Sequence, residues 1–240
     1  MKGELRPGTG RSEAARRSYN RLSRWYDFLS NRFERKFRDT GIGMLEATGG
    51  ETILEVGFGT GHCVVALART VGNTGMVYGI DISDGMLQIA KNRVRKAGLA
   101  ETAHLERSDA MQLPFKEEFF DAIFMSFTLE LFNAMEILAV LSQCRRILKK
   151  GGRICVVALS NSEQPGSMAR LYLWTHHKFP GLCDCRPIYV QAVLKEAGFL
   201  IDQSRERKLM GLPIEIVLAK KSGGVPAKDE PMAEELQAAV

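Results

Sequence analysis

Thr52-Ile53-Leu54-Glu55-Val56-Gly57-Phe58-Gly59-Thr60-Gly61-His62 is the stretch on which the reading of this 240-residue chain turns. It opens as an apolar run behind Gly49-Gly50, closes in three glycines at every second position, and passes into a helical pattern from Cys63. A strand, a tight glycine turn and a helix let backbone approach a ligand closely, because glycine carries no Cβ to stand in the way. The dinucleotide fingerprint is G-x-G-x-x-G. Here His62 takes the place of its third glycine, and Glu55 stands two residues ahead of the first. A carboxylate at that point repels a pyrophosphate and attracts an amino group.

A second apolar run, Met76-Val77-Tyr78-Gly79-Ile80, ends in Asp81. In a doubly wound sheet this sets a carboxylate at the tip of strand two, beside the glycine turn, where it accepts from both hydroxyls of a ribose. The ligand so described is a nucleoside with an amino-bearing or cationic tail, and S-adenosylmethionine fits. E-V-G-x-G-T-G followed by G-I-D-I-S resembles the class I S-adenosylmethionine-dependent methyltransferases. The resemblance implies an α/β, Rossmann-like, seven-stranded, mostly parallel sheet with an antiparallel last strand, helices on both faces and an N-terminal helical lid. It also implies S-adenosylmethionine as cofactor and S-adenosylhomocysteine as product.

The alternation of elements agrees. Strands are predicted over Thr52–Gly57, Met76–Asp81, His104–Arg107, Phe120–Phe127 and Arg153–Ser160, with helices from Gly61 to Thr70, from Ser83 or Asp84 to Ala97, and from Ala134 to Lys150. Repeated strand–helix units of this length make a parallel sheet. After strand five the rhythm breaks: residues 161–187 form an irregular cap, Pro187–Gly198 reads as a helix, and Leu200–Lys208 and Pro213–Lys220 as a closing pair of strands. The expected organisation is a basic arm and helical lid over 1–45, a methyltransferase domain over 46–221 and a disordered tail over 222–240.

Charge is concentrated at one end. Residues 1–38 hold eleven Lys/Arg against four Asp/Glu, a net of +7, so the remainder carries −2 of the chain's +5. From about Glu13, Ala15, Tyr19, Leu22, Tyr26, Leu29, Phe33 and Phe37 recur at steps of three and four as one apolar face, with Arg16, Arg17, Arg21, Arg24, Arg32, Arg35 and Arg38 on the other. Such a helix packs its stripe and solvates its charges, and the arginine face also suits an anionic membrane surface or a polyanion. No apolar run approaches the roughly 20 residues that span a bilayer, and the N-terminus lacks the apolar core of a secretory signal. Five cysteines, with Cys63, Cys144 and Cys155 in apolar runs, read as reduced thiols, which makes the cytoplasm the expected location. His176, His177, Cys183 and Cys185 match no standard zinc spacing, so no metal is expected.

Ligands of open α/β sheets bind beyond the carboxyl ends of the strands. The expected cofactor site is therefore Glu55, Gly57, Gly59, Thr60, Gly61 and Asp81. Ile82 and Met86 either flank the adenine or belong to the core. Asp109-Ala110 resembles the family motif in which the aspartate accepts from the adenine amino group, and Ser126 and Phe127 line the place of methyl transfer. Tyr19 and Tyr26, the latter in an S-R-W-Y-D context that resembles a family lid, are the expected lid contacts. Asp121, in the family's F-D before strand four, reads as structural. Tyr172, Trp174 and Arg186 are candidate substrate residues in the cap.

Methyl transfer is an in-line displacement in which placement and exclusion of water do much of the work. A phenol or activated ring carbon also needs a base, and the candidates are His176, His177, Tyr19 and Glu130. Within the class the chain is most similar to the ubiquinone/menaquinone-biosynthesis C-methyltransferases, through the Y-D lid, Leu113-Pro114-Phe115 and Phe120-Asp121. It departs from them in Ser126–Phe132, where a G-x-R-N-like stretch is usual, in Cys183-Asp184-Cys185-Arg186, and in Lys150, where proline is usual before Gly151-Gly152. The resemblance implies methyl transfer to a small lipophilic acceptor, quinone-like, at carbon or oxygen. A phospholipid or small-amine N-methyltransferase is the alternative, and an RNA-binding methyltransferase or a catalytically silent cofactor-binding protein are those of other classes. Nucleic acid is the least favoured partner, since no separate RNA-binding domain and no N-P-P-Y-type motif are present.

Overall fold

The computed structural model describes residues 34–161, 187–209 and 211–223. Its strands are β1 (Thr52–Val56), β2 (Met76–Asp81), β3 (Ala103–Arg107), β4 (Phe120–Ser126), β5 (Leu148–Leu159), β6 (Phe199–Leu209) and β7 (Leu212–Lys221). The helices are α1, whose described part is 34–45, then α2 (His62–Val71), α3 (Asp84–Lys96), α4 (Ala134–Ile147) and α5 (Val190–Glu196).

The strands join one sheet in the order β3-β2-β1-β4-β5-β7-β6. All neighbours from β3 to β5 are parallel, and β7 runs antiparallel to both β5 and β6. The seven-stranded Rossmann-like sheet with its antiparallel last strand is thus as expected. The central strands are apolar on both sides because both faces are covered. One face packs Ile137, Val140, Leu141 and Cys144 of α4 and Val190, Val193 and Leu194 of α5. The other packs Phe37, Met44 and Leu45 of α1, the apolar side of α2, and Met86, Ala90 and Val94 of α3.

The helix expected over Pro187–Gly198 is shorter, Val190–Glu196, with Ile188 bridged to Ser160, and two further features depart from the sequence reading. Lys149-Lys150-Gly151-Gly152 looks like a helix C-terminus, yet α4 stops at Ile147 and Leu148 is already extended. Leu148 is fully buried and pairs with Phe120, the register slips by a bulge before Ala122↔Arg153, and Lys149 turns to Asp121 Oδ1 at 2.7 Å. Burial of one leucine and pairing of one lysine outweigh the weak preference of cations for a helix end. The other departure is Arg38, read as part of a solvated arginine face. Its side chain is only 13 % exposed and lies 3.9 Å from Glu34 one turn earlier, whereas Arg35 is 76 % exposed.

Two polar knots register α1 and β1 on the sheet. Arg153 on β5 donates to Leu45 O at 2.6 Å, to Glu46 O at 2.9 Å and to both oxygens of Glu51 at 2.9 Å. Burial works against the Glu51 charge, but Arg153 and the Thr48 N–H outweigh it and hold the carboxyl below its usual range. Asp121 takes the Thr52 N–H at 2.9 Å as well as Lys149, which makes it structural, as expected. An Arg153→Met variant leaves Glu51 and two carbonyls without their fork-shaped partner. We expect a loss of about 3 kcal/mol, seen in thermal melts as a Tm lower by roughly 5–10 °C.

Candidate active site

The sheet order reverses direction between β1 and β4, so the crevice for a ligand lies beyond the carboxyl ends of these strands. The turn after β1 forms one wall. Gly57, Gly59 and Gly61 all have positive φ, at 73°, 51° and 79°. Each is glycine for its own reason. A Cβ on Gly57 would sit 2.3 Å from Thr128 Oγ1, and one on Gly61 2.8 Å from Ala90 Cβ, while the space beside Gly59 is open. The first two positions pack protein against the turn, and the third leaves room for something else. Thr60 gives its carbonyl to Arg93, which ties the turn to α3.

Asp81 braces this turn from strand two. Its Oδ2 accepts the Gly59 N–H at 2.9 Å and its Oδ1 the Ser83 N–H at 2.9 Å. Burial pushes the carboxyl up, opposed by the N–H groups of Ser83, Gly59 and Ile82. Each oxygen retains acceptor capacity for a ribose hydroxyl, since a carboxylate offers about four lone-pair sites in all. Ser83 caps α3 by accepting from Met86 N at 3.3 Å, and Met86 is 3 % exposed in the core. Ile82 stays half-buried beside the turn.

Glu55 is 2 % exposed. Burial drives its carboxyl well above the usual range, partly offset by Arg38. It accepts from the Val64 N–H and the Cys63 thiol at the start of α2, a helix with no side-chain cap of its own. Its Oε2 has no hydrogen-bond partner among the described residues. One carboxylate oxygen thus serves the helix and the other awaits a donor.

The opposite wall is the end of β4. Phe127 has φ +52°, a left-handed conformation uncommon for a bulky side chain and found where surroundings enforce it. Its N–H is held by Val157 O at 2.7 Å. Thr128 Oγ1 reaches Ser126 O at 3.1 Å and Gly57 O at 3.5 Å, so the two walls touch. Ser126 Oγ is buried with no partner among the described residues. Glu130 follows in a short 3-10 turn, is 1 % exposed, and accepts the Leu159 N–H at 3.2 Å through Oε1, leaving Oε2 without a described partner. Among the described residues, buried side-chain oxygens without a hydrogen bond on Glu55, Ser126 and Glu130 therefore belong to the ends of β1 and β4. Buried polar atoms without partners are few in folded proteins, and their gathering marks a place built for a ligand.

Asp109 lies after β3, exposed, with Oδ1 on the Met111 N–H at 2.9 Å; Ala110 beside it is buried. The turn role is filled by one oxygen, and the other is open to an adenine amino group. Tyr19, Tyr26, Tyr172, Trp174, His176, His177 and Arg186 lie outside the described residues. Three contributors escaped the sequence reading. Thr128 follows directly on Ser126-Phe127 and would have been found by extending the motif one residue. Glu34 and Arg38 carry no signal beyond their place on a charged helix.

As a whole the crevice offers an unpaired carboxylate oxygen, a second carboxylate beside a turn with open space, and a hydroxyl and carboxyl across from them. This donor set suits an amino group and ribose hydroxyls, and the residues fit S-adenosylmethionine.

Comparison with known proteins agrees. Residues 13–186 match the ubiE/COQ5 methyltransferase family. The chain is 30 % identical over 162 residues to the demethylmenaquinone methyltransferase of Bacillus licheniformis, covering 68 % of each protein. To the enzyme of the same name from Tropheryma whipplei it is 40 % identical over 164 residues, covering 66 % of this chain and 64 % of that one. In three dimensions it resembles a SAM-dependent methyltransferase from Aquifex aeolicus, with a TM-score of 0.63 at 22 % identity over 85 % of this chain and 98 % of the other. It also resembles the [4+2]-cyclase SpnF, with a TM-score of 0.65 at 21 % identity over 79 % and 81 %. The structural likenesses bear on the fold alone, and one of them belongs to a cyclase, so fold does not carry the activity. Sequence does: the chain belongs to the ubiE/COQ5 methyltransferase family and is a methyltransferase that uses S-adenosylmethionine.

Proposed function

We propose that the enzyme methylates a ring carbon of a reduced, quinone-like lipophilic acceptor. The observation that carries this reading is the relatives' shared name: curated proteins similar to this chain from several bacteria are named demethylmenaquinone methyltransferases. The site's surroundings support it. Leu131 and Met135 follow the end of β4 and are 36 % and 79 % exposed, and Tyr189, next to the Ser160↔Ile188 bridge at the end of β5, is 41 % exposed. Apolar side chains left in the open beside a crevice suit an apolar ligand. The cofactor, when bound, supplies a sulfonium methyl carbon as electrophile. Glu55 and Asp81 hold its amino and ribose groups, the turn at Gly59 fixes its distance, and Phe127 and Ser126 face it across the crevice. The lid role of Tyr19 and Tyr26 and the acceptor role of Tyr172, Trp174 and Arg186, all outside the described residues, are part of the same proposal. The arginines of residues 1–35 favour the anionic membrane surface where such acceptors reside.

The test incubates the enzyme with methyl-labelled S-adenosylmethionine and a lipid extract, then partitions the products. Label in the organic phase, resistant to base and phospholipase, is expected. Label in a phospholipid head group, or in a soluble amine, would move the assignment to N-methylation. Vesicles of anionic lipid should retain the full chain and release it as salt is raised; retention that ignores salt would remove the role given to the arginines.

A further inference from the structure

The reaction proposed above releases one proton. After β4 the chain runs Ser126-Phe127-Thr128-Leu129-Glu130, and the Glu130 carboxyl is buried with one oxygen on the Leu159 N–H and the other unclaimed among the described residues. Glu34 on α1 lies 3.9 Å from Arg38, and it bears electrostatically on Glu130. Glu215 on β7, whose strand pairs with the end of β5, is committed to Gln191 Nε2 at 2.6 Å and Ser160 Oγ at 3.4 Å.

We propose that Glu130 is the catalytic base that takes the proton displaced by the incoming methyl group, and that the charge of Glu34 tunes it. The inference rests on the reading of the reaction as methylation at a ring carbon. In balance, an electron pair of the quinol ring forms the new carbon–carbon bond. The methyl carbon's bond to sulfur breaks, with its pair left on sulfur. The hydrogen on the attacked ring carbon leaves as a proton to the Glu130 carboxylate, which becomes neutral. Nothing is oxidised or reduced overall, and one proton reaches solvent per turnover. Ser126 Oγ, unpartnered in the same wall, is placed to hold a quinol oxygen.

The electrostatics agree with the geometry. Burial raises the Glu130 carboxyl to about 8, and the neighbouring Glu34 charge adds to it; burial raises Glu34 to about 7, with Arg38 holding it back. Two carboxyls so placed do not both ionise cheaply, and a base poised near neutral pH is the efficient kind.

The experiment uses the full chain with a short-chain prenylated naphthoquinol bearing one unsubstituted quinol-ring carbon. In the wild type, kcat rises with pH through a group near 8. Glu130→Gln should lower kcat on the order of a hundredfold or more and abolish that limb, with cofactor affinity within about threefold of wild type. Glu34→Gln removes a neighbouring negative charge, so the limb should move to lower pH, a shift that a merely structural role does not produce. Glu130→Gln with kcat within twofold, or a limb that stays in place in Glu34→Gln, overturns the proposal. Should the wild type leave this quinol unmethylated, the acceptor reading fails by itself. Difference infrared titration then decides the base separately: a carboxyl titrating well above the usual range, absent from Glu130→Gln, upholds it, and its absence from the wild type rejects it.

The same carboxyl has a consequence for stability. A glutamate whose folded-state pKa is raised binds more protons folded than unfolded between its ordinary pKa and about 8, so stability falls as pH rises across that window. Glu130→Gln should melt higher than the wild type above pH 8 and gain little near pH 4.

Discussion

Gly57→Ala should lose cofactor binding by roughly a hundredfold or more, read by calorimetric titration with S-adenosylmethionine or its demethylated product. Two costs combine. The position has φ +73°, where an L side chain pays about 1–2 kcal/mol. The new Cβ would lie 2.3 Å from Thr128 Oγ1 and 2.4 Å from Thr128 Cγ2, contacts that force one crevice wall away from the other at an added cost of about 1–3 kcal/mol. The specific sign is partial rescue. Thr128→Ala deletes both of these atoms and leaves Thr128 Cβ at 2.9 Å, so the double variant should recover some of the lost affinity while keeping the φ penalty. If the double variant binds no better than Gly57→Ala alone, the contact between the walls is not what the substitution disturbs.

The second large effect is expected at Asp81. Its carboxylate holds the turn through Gly59 N–H and the entry to α3 through Ser83 N–H, and it is the proposed ribose acceptor. Asp81→Ala removes charge-assisted hydrogen bonds on both sides, each contributing about 1.5–3 kcal/mol, so cofactor affinity should fall by about a hundredfold. Asp81→Asn keeps one acceptor oxygen and should fall between the two. An unchanged dissociation constant in the alanine variant would sink the ribose assignment. Because Asp81 also braces the turn, the comparison with adenosine alone is informative: a ligand that keeps the ribose and lacks the amino-acid tail should suffer at Asp81 and be insensitive to Glu55.

What could be read from the sequence is what lies close together in it. Gly57, Gly59, Gly61 and Asp81 fall on one strand–turn–helix–strand unit, so their spacing alone puts them at one crevice, and the structure does so. Strand existence was legible because β4 and the Ile154–Leu159 part of β5 are nearly continuous apolar runs. The end of α4 was not, since Lys149-Lys150-Gly151-Gly152 satisfies every local rule for a helix terminus and only the burial of Leu148 against Phe120 overrides it. Arg153 was opaque for a different reason: its partners Leu45 and Glu51 are 108 and 102 residues away, and no local pattern announces them. Glu34 and Arg38 look like two more charges on an amphipathic helix. Their burial follows from α1 lying so close to the sheet that Gly41 admits no side chain against Val157 and Phe124. Such approach is a tertiary fact. Glu130 was a candidate base by residue type; its enclosure and unclaimed oxygen appear only with the turn after β4 in place.

The sheet order sets terms for biosynthesis. β6 has one neighbour in the sheet, β7, and β7 alone joins β6 to β5, over pairs running from Arg153↔Lys220 to Leu159↔Ile214. β6 therefore cannot join a growing sheet when it leaves the ribosome; it must wait for the strand made after it, and the two dock on β5 as a hairpin. Until then the nascent chain carries β1 to β5 with the β5 edge open and its apolar residues Cys155, Val156 and Val157 uncovered, a template for pairing with other chains. Synthesis that stalls between residues 160 and 212 thus leaves a chain whose cofactor crevice has all its β1 and β4 residues but whose sheet is incomplete, and chaperone demand should peak over that interval.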